Sequence, residues 1–315
     1  AFVAFPKQVV LEGLYVEDQR RDTLVYAGEL VVDADLWALT KNTVSVSKIS
    51  LTDFSGTIKR KANDSAFNFS YIIDAFAPDS AETQQPADTT GKPWTFKVGD
   101  IALNNVAVVY DDRYSGSFVK AKIGALTLPV TEFDPAAAIY KVGEVQAKNI
   151  TAVVEQNGKP STQQSEAADS TSSLPVLGLE ELDLKNVTVR YADLTLKTYL
   201  TADLKEVYLD MNSMDLAARK VDIDNIELKH SFITYNFYQP ELRVKAQPAP
   251  DEPFTGLNIP WDVRVRDVNL EDNSVQYYNS ALPVEKGALD FNHLWIFGLQ
   301  CQVNNAMVSG NTLEV

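Results

Sequence analysis

Between residues 180 and 193 the chain reads E-E-L-D-L-K-N-V-T-V-R-Y-A-D. Leu182 and Leu184 alternate with Asp183 and Lys185, as on a half-buried β-strand. The next apolar set, Val187, Val189 and Tyr191, falls on odd numbers, so the alternation slips by one residue at Asn186. In a regular strand that slip would turn the second set onto the opposite face. It recurs in I-A-L-N-N-V-A-V-V-Y-D-D, which sets Leu103 before Val106, Val108 and Tyr110, and in V-N-L-E-D-N-S-V-Q-Y-Y-N from Val268, which leads to Val275. Weaker copies start at Val44, Val142, Val221 and Val303; the third carries Val221, Ile223, Ile226 and Leu228, then Ile233 and Tyr235. A motif returning at roughly 80 residues, with half-copies between, marks an internal repeat. An extra residue compensated within a strand bends it and keeps both flanks facing inward, so the slip reads as a bend built in at Asn105, Asn186 and Asp272.

Three polar, Pro- and Ser-rich stretches punctuate the pattern, at 77–93, 157–175 and 246–256. They read as flexible loops between stretches 1–76, 94–156, 176–245 and a partial 257–315 of one continuous unit. Helical signal is confined to Asp35–Lys41, a turn or two capped by an acidic residue. The remainder is alternating, β-branched and aromatic. The expected fold is all-β: an elongated, curved antiparallel repeat sheet in which consecutive strands pair as a meander.

Such a sheet gathers the apolar positions above on one face and Asp183, Lys185, Thr188, Arg190, Asp222, Asp224, Glu227 and Lys229 on the other. A dry face needs a cover. A closed sandwich or β-helix supplies it with more protein, and a period-two stripe of Val, Ile and Leu is usually core of that kind. An open trough supplies it with ligand.

Composition narrows the partners. The formal net charge of −15 is a poor footprint for nucleic acid or for docking flat on anionic headgroups. One cysteine, Cys301, precludes an internal disulfide; the scarcity suits the cytosol or a bacterial periplasm, and low cysteine usage alone accounts for it equally well. No run of 18 apolar residues marks a membrane span. The chain opens on A-F-V-A-F-P-K and closes on N-T-L-E-V within strand-like pattern, and so reads as a piece of something longer, with room for an anchor upstream.

Catalytic chemistry is not written in the sequence. His230 and His293 each stand alone on a strand-like stretch, and Cys301 alternates with Leu299 and Val303 as a buried apolar residue would. Asp111 with Asp112, and Asp222 with Asp224, lack calcium-loop spacing and read as solvated turn residues. No glycine-rich phosphate loop is present, the Asn-x-Ser/Thr matches at Asn63, Asn68, Asn149 and Asn186 read as chance, and no cofactor is called for.

The pattern L-x-L-x-N-V-x-V-x-Y-x-D resembles the repeats of the AsmA-like superfamily, in particular its TamB family. The stretch Val9–Val32, with D-T-L-V-Y inside it, then S-V-S-K-I-S-L from Ser45 and F-N-F-S-Y-I-I-D-A-F from Phe67, is similar to the N-terminal part of TamB proteins of the Bacteroidetes type. The resemblance covers essentially the whole chain. It implies a right-handed, taco-like β-groove with a hydrophobic interior, tethered in the inner membrane by an N-terminal helix, spanning the periplasm and working with an outer-membrane barrel. Neither that helix nor the C-terminal part that meets the barrel is in the sequence. The expected lining is Leu103, Val106, Val108, Tyr110, Leu182, Leu184, Val187, Val189, Tyr191, Val221, Ile223, Ile226, Leu228, Ile233 and Val275, contacting phospholipid acyl chains, with no catalytic residue. Two rivals stand beside it. One is a scaffold that offers strand edges to outer-membrane protein clients; the other is an adhesin or glycan binder using Trp94, Trp261 and Trp295.

Overall fold

Every backbone N–H and C=O in an extended chain needs a partner, and here one sheet supplies them. The computed structural model describes residues 2–4, 8–72, 95–158, 175–240, 259–287, 289–310 and 312–314. Fifteen strands form that sheet. The first unit holds β2 (Gln8–Glu17), β3 (Thr23–Ala34) and β4 (Thr43–Arg60), with β1 (Phe2–Ala4) on its edge. The second holds β5 (Thr95–Asp112), β6 (Ser117–Leu128) continued by β7 (Val130–Asp134), and β8 (Ile139–Gln156). The third holds β9 (Val176–Asp193), β10 (Thr198–Asp215), and β11 (Lys220–Lys229) continued by β12 (Phe232–Phe237). The fourth holds β13 (Ile259–Asn279), β14 (His293–Gly310) and the short β15 (Thr312–Glu314).

Within a unit all neighbours are antiparallel. Between units they are parallel: β4 with β5, β8 with β9, and β11 and β12 with β13. The sheet is therefore all-β but mixed, and the expectation of a continuous antiparallel meander is corrected at three joins. Parallel neighbours require the chain to return the length of the strand before pairing. The three low-complexity stretches fall between the strands so joined; they lie in 73–94, 159–174 and 241–258, outside the described residues apart from Asn157, Gly158 and Pro175. Trp94 lies outside as well.

Four of the hairpins share one device. Asp112, Asp134, Asp193 and Asp215 each begin a four-residue turn and accept hydrogen bonds from backbone N–H groups two or three residues on. Each turn closes on a residue at positive φ, namely Gly116, Ala138, Lys197 and Arg219. The segment expected as a helix is a variant of it: a 3-10 turn over Leu36–Lys41, capped by Asp35 through the Trp37 N–H at 3.0 Å and ended by Asn42 at φ 53°.

The slip proves to be a seam that crosses the sheet. Asp53, Asn105, Asn149, Asn186, His230 and Asp272 all sit at φ between 48° and 55°. They meet in pairs across the parallel joins: Asn105 Nδ2 donates to Asp53 Oδ1 at 2.5 Å, Asn186 Nδ2 to Asn149 Oδ1 at 3.4 Å, and His230 Nδ1 lies 3.4 Å from Asp272 Oδ2. The intervening strands cross the line at Gly28, Gly124 and Lys205, between the register pairs that flank it. Gly124 is required there, because a Cβ would stand 2.7 Å from that of Asn149. A left-handed residue other than glycine costs about 1–2 kcal/mol, less for Asn and Asp, whose side chains bond locally. Asn186→Val is accordingly expected to destabilise by about 1–2 kcal/mol and Asn186→Gly by a few tenths at most, as read from urea unfolding midpoints.

Candidate functional site

Side by side in register, the strands align their apolar positions into rows. Next to the seam one row runs from Leu11 through Leu30, Leu51, Leu103 and Leu126 to Ala147, then through Leu184, Val207, Leu228 and Leu270 to Cys301. The neighbouring row carries Leu182, Leu209, Ile226, Val268 and Val303. Across the seam, Val106, Ile123, Ile150, Val187 and Leu204 form the next row. Beyond it come Val108, Val189, Ile233, Val275 and Ile296, and beyond those Tyr110, Tyr191, Tyr235, Tyr277 and Leu294.

A second seam, not foreseen, lies on the other side. Apolar positions there again step by three rather than two, from Val98 to Ile101, Val142 to Val145, Leu179 to Leu182 and Ile223 to Ile226. The register breaks beside Ser47, Thr131 and Asn212, and Gly99 leaves room for the Ser47 carbonyl, 2.2 Å from where a Cβ would stand. Val221 and Ile223 lie past it. All fifteen expected lining residues thus fall on one face, arranged as three panels joined at two corners. The sequence signal for the second corner was the three-residue step itself, which the half-copies carry.

Burial shows that the corners turn this face inward. In β8, Gly143, Val145 and Ala147 are buried, Glu144, Gln146, Lys148 and Asn149 are exposed, and Ile150 and Ala152 resume on the covered side. Val106, Val145, Ala147, Val187 and Ile223, all flanking a seam, are buried although no second sheet covers them. In a flat single layer they would be half-exposed; converging panels cover them. Away from the corners the face opens, with Ile58 at 38%, Tyr277 at 36% and Ile296 at 44% exposure. The face is a trough that is enclosed beside the seams and half-exposed elsewhere, and Cys301 is a partly exposed member of it.

The outer face carries the expected charges, with ion pairs Lys185–Asp183 at 3.1 Å and Lys229–Glu227 at 2.7 Å. The rim beyond the tyrosines is polar and tightly bonded. Asp112, 1% exposed, accepts from Arg60 Nε at 2.8 Å and from Arg60 Nη2, from Tyr110 Oη at 3.0 Å and from Ser115 Oγ at 2.7 Å. The Arg60 guanidinium holds its carboxyl well below the usual carboxylate range, and Ser115 and Tyr110 add to this against the opposing effect of burial. Asn279, fully buried, bonds both N–H and C=O of Gln239. His230, in the bend between β11 and β12, and His293, the first residue of β14, each face an aspartate, Asp272 and Asp290. Of the tryptophans in the adhesin reading, Trp295 is 65% exposed and stacks edge-on with Phe297 at 6.3 Å, while Trp261 is the third residue of β13.

No protein-family model, curated protein or solved structure matches this chain.

Proposed function

We propose that the trough shields the acyl chains of phospholipids, as a periplasmic segment of a TamB or AsmA-like lipid-transport protein tethered to the inner membrane and reaching toward an outer-membrane barrel. The observation that carries this reading is the apolar row from Leu11 to Cys301, which crosses eleven strands without a polar residue. Acyl chains laid on it replace water at about 25 cal/mol per Å² of apolar surface, and headgroups stay wet at the mouth. The action is passive: a sliding surface rather than an enzyme, with no group that needs to change charge. A photo-crosslinker at Val189 or Ile226 is expected to capture phospholipid from inner-membrane extract, and one at Arg190, on the outer face, to capture none. Equal capture at all three sites would sink the reading.

A second reading is favoured by one observation. Along Leu294–Ala306, β14 has a strand neighbour on one side only among the described residues, and Trp295 and Phe297 stand exposed on the face opposite the apolar rows. Such an edge can accept an incoming strand, in keeping with a scaffold for outer-membrane protein clients. A crosslinker at Phe297 that captures nascent barrel strands, with none captured at Ile226, would favour this reading over lipid shielding.

A further inference from the structure

The two walls of the trough end differently. On one, the last apolar row carries Tyr110, Tyr191, Tyr235 and Tyr277, one strand apart where Tyr235 and Tyr277 stack at 5.8 Å, and the next row out holds the polar Asp112, Ser117, Gln156, Asp193 and Asn279 together with the buried Phe237, which packs on Tyr235 and Tyr277. On the other, the corresponding row is Val44, Phe96, Tyr140, Leu177, Val221 and Val263, with a single tyrosine that packs edge-on against Phe133 at 5.6 Å. The hydroxyl of Tyr110 is spent on Asp112, and burial together with that bond pushes its pKa up. Those of Tyr191, Tyr235 and Tyr277 have no partner among the described residues. A phenol with its ring on hydrocarbon and its O–H toward water is suited to the level where a lipid changes from tail to head.

We propose that this tyrosine row seats the ester end of a glycerophospholipid, so that lipids lie in the trough with one polarity, glycerol at the tyrosine rim and tails running down to the floor. The inference rests on the acyl-shielding reading above and adds orientation and a recognised group to it. The group is an ester carbonyl rather than a free carboxylate or the phosphate. Asp193 stands one row outward, and the nearby Arg60 cation is already matched by Asp112, so an anion at tyrosine level would meet the Asp193 charge with Arg60 already spent. A neutral acceptor takes the O–H bonds without that cost, and the phosphate lies further out in water.

Ether phospholipids keep the tails, glycerol and phosphate and lack the carbonyls, which makes them the discriminating probe. The full chain would be incubated with vesicles of equal parts phosphatidylethanolamine and phosphatidylglycerol, in diester and diether form, and retained lipid measured by native mass spectrometry. The diester is expected to be retained about tenfold better, the worth of one or two neutral hydrogen bonds. In the triple variant Tyr191→Phe, Tyr235→Phe, Tyr277→Phe, which preserves the rings and their stacking, that preference should vanish while diether retention stays unchanged. Equal retention of diester and diether by the unaltered chain, or a preference that survives the triple variant, overturns the tyrosine seat and leaves acyl shielding standing. Retention of neither lipid overturns both.

Discussion

Three carboxylates placed along one wall of the trough, by Val108→Glu, Val189→Glu and Val275→Glu, are expected to strip co-purified phospholipid from the protein. The three valines share a row, one in the first strand of each of three units, and all are half-exposed, so the substitutions need not disrupt the sheet. A chain lying on that row would have to desolvate three charges that find no partner there. Leaving even one polar group unsatisfied costs about 1–3 kcal/mol, more when it is ionised, so the loss of bound lipid should exceed about tenfold. The matched control puts the same charge on the opposite face of the same strands, by Ala107→Glu, Arg190→Glu and Gln276→Glu. Those positions project away from the trough, and lipid content should not change. Far-ultraviolet circular dichroism identifies any variant that has unfolded, and a folded inner set that still carries lipid would refute the trough as the binding surface.

The architecture explains why such a surface can persist without a second sheet. Each row is a continuous ladder of aliphatic contacts across strands, and the two corners fold the face onto itself where burial is greatest. What the walls expose would be a liability on an ordinary soluble protein. Enclosure beside the seams limits that liability, and the acyl chains proposed above would cover the rest. Stability in a sheet whose units touch only their neighbours is close to a sum of unit and join terms, so the joins matter as much as the units.

Much of this was legible in the sequence, for local reasons. Alternation and its one-residue slip are properties of single strands, and they set the fifteen residues expected as lining on one face. Asn or Asp stands at five of the six left-handed seam positions, Asp53, Asn105, Asn149, Asn186 and Asp272, because few other side chains accept that backbone. Three features were not legible. The parallel joins depend on how units dock after a long connection, and no short-range signal encodes that; consecutive strands were expected to pair antiparallel by default. Gly28, Gly124 and Lys205 cross the seam without a left-handed φ, so they bear no mark of their own. Asp112, read as a solvated turn residue beside Asp111, is among the most buried side chains, because its partner Arg60 is distant in sequence and meets it only across a join.

That pairing sets the second large effect. At a parallel join the two strand ends have no hairpin to hold them, and the rim relies on side chains instead. Asp112 and Asn279, the two most completely buried large side chains, staple the β4–β5 and β12–β13 joins respectively. Asp112→Ala removes the acceptor for Arg60, Tyr110, Ser115 Oγ and two backbone N–H groups. Breaking a buried pair from one side typically costs 3–5 kcal/mol; with the Arg60 side chain 19% exposed and able to rehydrate, about 3 kcal/mol is expected from urea unfolding at neutral pH. The pH dependence distinguishes the ion pair from lost packing. The folded carboxyl titrates below an unfolded value of about 3.9, so its contribution is complete above that value and is lost as pH falls through the depressed folded pKa. The stability difference between the native chain and Asp112→Ala should therefore be constant from about pH 7 to 5 and shrink below about pH 4. A gap that persists unchanged into acid would mean that Asp112 acts by packing alone, and that the first parallel join is held by the ladder rather than by its staple.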